Sequence, residues 1–171
     1  ETAAQLTKFA LQDLEYQWID VTQHQFKPIR DVRHTAETIT SYDDDYLPIL
    51  DKILASDTII FASPVYWYSI SAPLKAFIEH WSETLQDKRY PNFKAQMAEK
   101  DFRVILVGGD CPKIKAKPAI TQMKYSLDFL GATLNGYIIG TAEKPGDIMK
   151  DNYALARATE WNSICLLYTS P

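Results

Sequence analysis

Residues 58–81 read TIIFASPVYWYSISAPLKAFIEHW. The run Thr58-Ile59-Ile60-Phe61-Ala62 is short, continuous and β-branched, so it predicts a strand buried on both faces. Pro64 lacks an N–H and restricts Ser63, which predicts that the ladder stops at Ser63-Pro64. A loop of aromatics and hydroxyls follows, Val65 to Ser71. Ser71 then suits a helix N-cap and Pro73 suits the first turn. Leu74, Phe77, Ile78, Trp81 and Leu85 share one apolar face, which predicts a helix to about Gln86. An aromatic loop at the carboxyl end of a buried strand is where open α/β sheets hold ligands. Tyr66, Trp67 and Tyr68 are consecutive and cannot all point inward, which favours a binding loop over a hydrophobic plug.

Downstream, Phe102–Val107 predicts a second buried strand, running into Gly108-Gly109-Asp110-Cys111-Pro112. Two glycines after a strand permit close approach to a ligand or a tight turn. Cys111 reads as a small, semi-buried packing residue rather than a redox thiol. Pro118–Leu130 predicts a helix stopped by Gly131, Thr133–Ile139 a strand, and Ile148–Asn162 the last helix. The stretch Asp87–Asp101 reads as a charged surface connection with one helical turn.

Upstream, Thr2–Leu14 is helical by period and Tyr16–Val21 reads as a strand. Gln23–Tyr42 is polar and irregular, and His24 and His34 within it read as solvated. Asp43-Asp44-Asp45 precedes an apolar helical face. Three carboxylates suit the positive end of that helix better than a metal, because consecutive residues rarely converge on one ion. Strands alternating with helices predict a parallel sheet covered on both faces.

The segment Ser63-Pro64-Val65-Tyr66-Trp67-Tyr68-Ser69-Ile70-Ser71-Ala72-Pro73-Leu74-Lys75-Ala76-Phe77-Ile78-Glu79 resembles the flavin loop of the flavodoxin-like NAD(P)H-dependent FMN reductase family. The resemblance extends from Thr2 to about Asn162. It implies a doubly wound α/β sheet of strand order 2-1-3-4-5, with FMN at the switch point. Counted against that plan, the four predicted strands are 2, 3, 4 and 5, and strand 1 is missing from this chain.

The resemblance also implies the site. Ser63, Pro64, Val65, Tyr66, Trp67, Tyr68 and Ser69 would line the isoalloxazine, with Tyr66 or Trp67 packed on the ring and Ser63 reaching the ribityl chain. Gly108, Gly109, Asp110 and Cys111 would form the opposite wall. Thr2 resembles the family's phosphate-binding threonine, although Glu1 replaces the usual Asn; the other phosphate ligands precede the first residue. His80 reads as a packing or surface residue. No catalytic side chain and no metal ligand is expected.

The 171 residues suit one domain, here 1–164 and truncated at its N-terminus. Residues 165–171, Cys-Leu-Leu-Tyr-Thr-Ser-Pro, resemble a translated sequencing-library adapter and are expected to be a non-native tail. A net charge of −4 supplies no basic field for nucleic acid or an anionic membrane. No apolar run reaches a membrane span and no signal peptide is visible. Two cysteines without metal spacing suit a reducing cytoplasm.

The expected function is an enzyme passing hydride from NAD(P)H to flavin N5 and on to a flavin, quinone or similar small acceptor. A homodimer is possible for the full-length protein. A non-catalytic, flavodoxin-type electron carrier is the alternative, but such carriers are usually strongly acidic, and Ser69-Ile70-Ser71-Ala72-Pro73-Leu74-Lys75 favours the reductase branch. A phosphate-accepting receiver needs an Asp where Ala62-Ser63-Pro64 stands, and is discarded.

Overall fold

A computed structural model describes residues 1–29 and 43–169, with side chains through Ser163. His34, and the contacts expected of the tail from Cys165, lie outside these residues. Three parallel strands form the sheet: β1 (Thr58–Pro64), β2 (Asp101–Gly108) and β3 (Leu134–Thr141), in the order β1-β2-β3. The helices are α1 (Thr2–Ala10), α2 (Tyr46–Leu54), α3 (Ala72–Glu79), α4 (Trp81–Thr84), α5 (Phe93–Ala98), α6 (Pro112–Lys115), α7 (Lys117–Phe129) and α8 (Asn152–Thr169).

The central strand shows why its middle, Val104–Val107, is apolar throughout. Val104 and Leu106 join one core, with Phe61, Ile139 and residues of α2, α3 and α7. Ile105 and Val107 join the other, with Ile138, Leu6 of α1 and Ala158 and Trp161 of α8. Successive side chains leave opposite faces of a strand, so burial on both faces demands an unbroken hydrophobic run.

The segment Tyr16–Val21 is not a strand. It has no ladder bonds, Tyr16 and Trp18 are exposed, and a 3₁₀ turn occupies Val21–Gln23. In the doubly wound order, strand 2 bonds to strand 1 alone. The described residues contain no such strand, so the backbone of Tyr16–Val21 has nothing to pair with. The ladder also runs two residues further than expected, with Pro64 opposite Val107. The physical reason is that β1 is an edge strand among the described residues, and an edge tolerates the missing proline N–H.

Two helices are shorter than their periodicity predicts. The first stops at Ala10, and Asp13 turns the chain with φ of 64°. The helix after Ser71 divides at His80 into α3 and α4. His80 is buried, its Nδ1 2.7 Å from Glu83 Oε2 and its Nε2 3.3 Å from Asp44 Oδ2. Of the aspartate triplet, only Asp44 reaches the amide of Tyr46 at the start of α2, accepting at 3.0 Å. Asp45 accepts from the Gln25 amide and Asp43 pairs with Lys27, so the triplet also ties down an upstream loop.

Candidate functional site

The site begins one residue beyond the ladder. The Val65 amide donates to the Val107 carbonyl at 2.8 Å, which carries the pairing of β1 and β2 into their following loops. The chain then makes a tight hairpin. Tyr66 and Ser69 exchange both backbone hydrogen bonds at 3.0 Å. Trp67 and Tyr68 between them have φ of 48° and 63°. A two-residue loop with both central residues at positive φ is the type I′ geometry, which normally selects Asn-Gly or Gly-Gly. Here two bulky aromatics hold it.

The aromatics are presented outward. Trp67 is 95% exposed, Tyr66 63% and Tyr68 45%. The base of the loop is pinned inward. Ser63 is fully buried; its hydroxyl accepts from the Ser71 amide at 2.9 Å and donates to the Pro64 carbonyl at 2.8 Å. Ser69 Oγ donates to Gln122 Oε1 of α7 at 2.8 Å.

The opposite wall follows β2. A Cβ on Gly108 would lie 3.2 Å from Cβ of Val65, so glycine allows the two loops to close together. Cys111 takes a left-handed conformation, φ 44°, and starts α6 with Pro112 in its first turn. It is exposed rather than semi-buried, because that turn swings it out of the core. Asp110 accepts from the Tyr68 phenol at 3.0 Å and from Lys115 Nζ at 2.6 and 2.8 Å. The Lys115 ammonium, and then the phenol, hold the Asp110 carboxyl below its ordinary range, and Asp110 in turn raises Lys115.

Between the walls lies a cleft of about 230 Å³, lined by Val65, Trp67, Tyr68, Gly108, Gly109 and Asp110, and by Pro112, Lys115 and Ala116. The first six were expected from the sequence; the last three were not. Pro112 closes the Gly108–Pro112 stretch, whereas Lys115 gives no signal beyond lying one helical turn past Cys111. Ser63, Pro64, Tyr66, Ser69 and Cys111 flank the cleft without lining it, and Thr2 opens α1 elsewhere. The amides of Trp67, Tyr68, Gly109 and Asp110 donate to no described group. The lining thus combines the Trp67 and Tyr68 side chains, the apolar Val65, Pro112 and Ala116, and the Asp110–Lys115 pair.

The model of the NADPH-dependent FMN reductase family matches residues 1–111. The chain belongs to this family. Its fold is the flavodoxin-like one. A Bacillus subtilis protein named an NAD(P)H-dependent FMN-containing oxidoreductase, YwqN, is 42% identical over 90% of this chain and 85% of its own length. An NADPH:quinone oxidoreductase of Arabidopsis thaliana is 33% identical over 74% of this chain; the alignment spans 57% of that protein. The solved structure of the Trp repressor binding protein of Bacillus subtilis superposes with a TM-score of 0.79 at 36% identity, covering 94% of this chain and 88% of that one. As a member of the FMN reductase family, the chain is placed among oxidoreductases. Among its described residues no helix is long and apolar enough to cross a membrane.

Proposed function

We propose that the cleft receives the isoalloxazine of FMN and that the gene product is an NAD(P)H-dependent oxidoreductase. The observation that carries this reading is the juxtaposition of Val65–Tyr68 with Gly108–Asp110 at the carboxyl ends of two adjacent parallel strands. Family membership supplies the chemical class. The space of about 230 Å³ falls just under the usual range of ligand pockets, roughly 300–1,000 Å³, so it suits one ring system and not a whole nucleotide.

The residues present fit that group. The unengaged amides of Trp67, Tyr68, Gly109 and Asp110 suit the polar edge of the ring, and Gly108 lets the walls approach. Val65 and Pro112 supply apolar contact. Thr2, at the start of α1, would meet the phosphate end, where a helix terminus favours an anion.

FMN, when bound, would accept hydride from NAD(P)H at N5 and return electrons to a small acceptor such as a free flavin or a quinone. The chain's own part is to bind, orient and exclude water. No side-chain acid or base in the cleft is assigned a proton. The full gene product should purify yellow, and NADPH should bleach the flavin absorbance within one turnover in stopped flow. A flavin-loaded protein that NADPH and NADH leave oxidised, but that a reduced partner protein bleaches, would make it an electron carrier.

A further inference from the structure

The Trp67–Tyr68 turn is held against its own preference. Left-handed backbone is uncommon for any residue with a side chain and an outlier for a bulky one. Burial does not repay this at Trp67, whose indole is 95% exposed. Outliers of this kind persist where surrounding contacts over-determine them. Among the described residues, the Tyr66–Ser69 bonds and the Ser69–Gln122 bond restrain the two ends of the turn. The tie on a central residue is the Tyr68 phenol, which donates to Asp110.

Asp110 is itself fixed. Lys115 Nζ bonds both of its carboxylate oxygens, and the same ammonium stands 5.7 Å from the centroid of the Tyr68 ring. The three groups therefore form a closed triangle joining the loop after β1, the loop after β2 and α6. All three line the cleft. All three are also exposed, so the triangle is a surface clamp and not a part of either core.

We propose that Asp110 is a positioning residue: with Lys115 it holds the phenol of Tyr68 and so keeps the left-handed Trp67–Tyr68 turn standing as one wall of the cleft. What that wall serves rests on the flavin reading above. The clamp itself does not.

Two readouts on the full gene product separate these. The first is amide hydrogen exchange at Tyr66 and Ser69, measured without flavin, in Asp110→Ala, Tyr68→Phe and the double variant. Each single variant should exchange about three- to tenfold faster, as expected for losing one partly exposed hydrogen bond. The double variant should be no faster than either single one, because both remove the same bond. Asp110→Asn, which keeps an acceptor for the phenol, should fall between wild type and Asp110→Ala.

The second readout is FMN affinity beside thermal stability. The dissociation constant should rise by a similar factor in both single variants, with Tm nearly unchanged. Unchanged exchange in Asp110→Ala overturns the clamp. So do multiplying effects in the double variant, or a Tm that falls in step with them, which would make Asp110 an ordinary structural brace. Wild-type protein that takes up no FMN sinks the flavin reading, and the exchange data still decide the clamp.

Discussion

The Ser71 amide donates to the hydroxyl of Ser63 at 2.9 Å, across the base of the aromatic loop. One buried side chain thereby joins the end of β1 to the start of α3. The same hydroxyl donates to the Pro64 carbonyl, so both of its roles are engaged inside the fold. In Ser63→Ala the Ser71 amide is left buried without a partner, which costs about 1–3 kcal/mol. Urea unfolding should show that loss as a lower midpoint at unchanged slope. An unmoved midpoint would mean that water replaces the hydroxyl.

Replacing Trp67-Tyr68 by Asn-Gly installs the pair that type I′ turns favour. Relief of left-handed strain contributes roughly 1–3 kcal/mol for each of the two aromatics, and the exposed phenol bond that is lost adds little to global stability. The variant should therefore unfold at a higher temperature than wild type while binding FMN more weakly. A lower Tm would show that the aromatics stabilise the loop by packing that their exposure conceals.

The Asp110–Lys115 pair sets a pH window. Its carboxyl is held below the ordinary 3.8, so its contribution is complete above 3.8 and fades as pH falls through the lowered value. The Lys115 ammonium is held above the ordinary 10.5, so its contribution is complete below 10.5 and fades as pH rises past it. The Asp110–Lys115 ion pair itself should persist across the whole interval between, with the Tyr68 phenol and the Cys111 thiol beside it. Carboxyl NMR should find Asp110 titrating below 3.8, and Lys115→Met should bring it back up. An Asp110 midpoint at or above 3.8 in the wild-type chain would refute the pairing.

Gly140 is a packing glycine. A Cβ there would lie 2.5 Å from Cδ1 of Ile148 and 3.1 Å from Cδ2 of Leu6, both fully buried. Gly140→Ala should destabilise the domain by about 1–3 kcal/mol through overpacking of β3 against Ile148 first and Leu6 of α1 second. Since Gly140 lies away from the cleft lining, FMN affinity per folded molecule should not change; a selective loss of affinity would connect α1 to the site.

The three strands were legible from short apolar runs, such as Val104–Val107, whose side chains are buried on both faces of the sheet. Tyr16–Val21 has as good a β composition, but a strand is a relation between two segments, and composition does not show whether the second is present. Pro64 misled because its effect depends on whether the strand lies inside the sheet or at an edge. Gly108-Gly109 and the Tyr66–Tyr68 run were legible as one site because they follow adjacent strands. Lys115 was not, since a lysine in a polar stretch carries no mark of the carboxylate it will meet. The turn at Trp67-Tyr68 was hidden for the opposite reason, because it occupies a geometry whose usual sequence it lacks.

The hydrogen bond from Val65 to Val107 has a consequence for how this loop tolerates insertions. It fixes register up to the last residue before the aromatics. One residue inserted between Ala62 and Val65 would send every following side chain to the other side of the pleat, turning the Tyr68 phenol away from Asp110. Beyond Ser69 no ladder remains to be shifted, and a residue added between Ser69 and Ile70 can bulge outward while Ile70 stays in the core and Ser71 stays bonded to Ser63. Change in loop length is therefore admissible on one side of the turn and forbidden on the other, and a library that varies this cleft should place its diversity after Ser69.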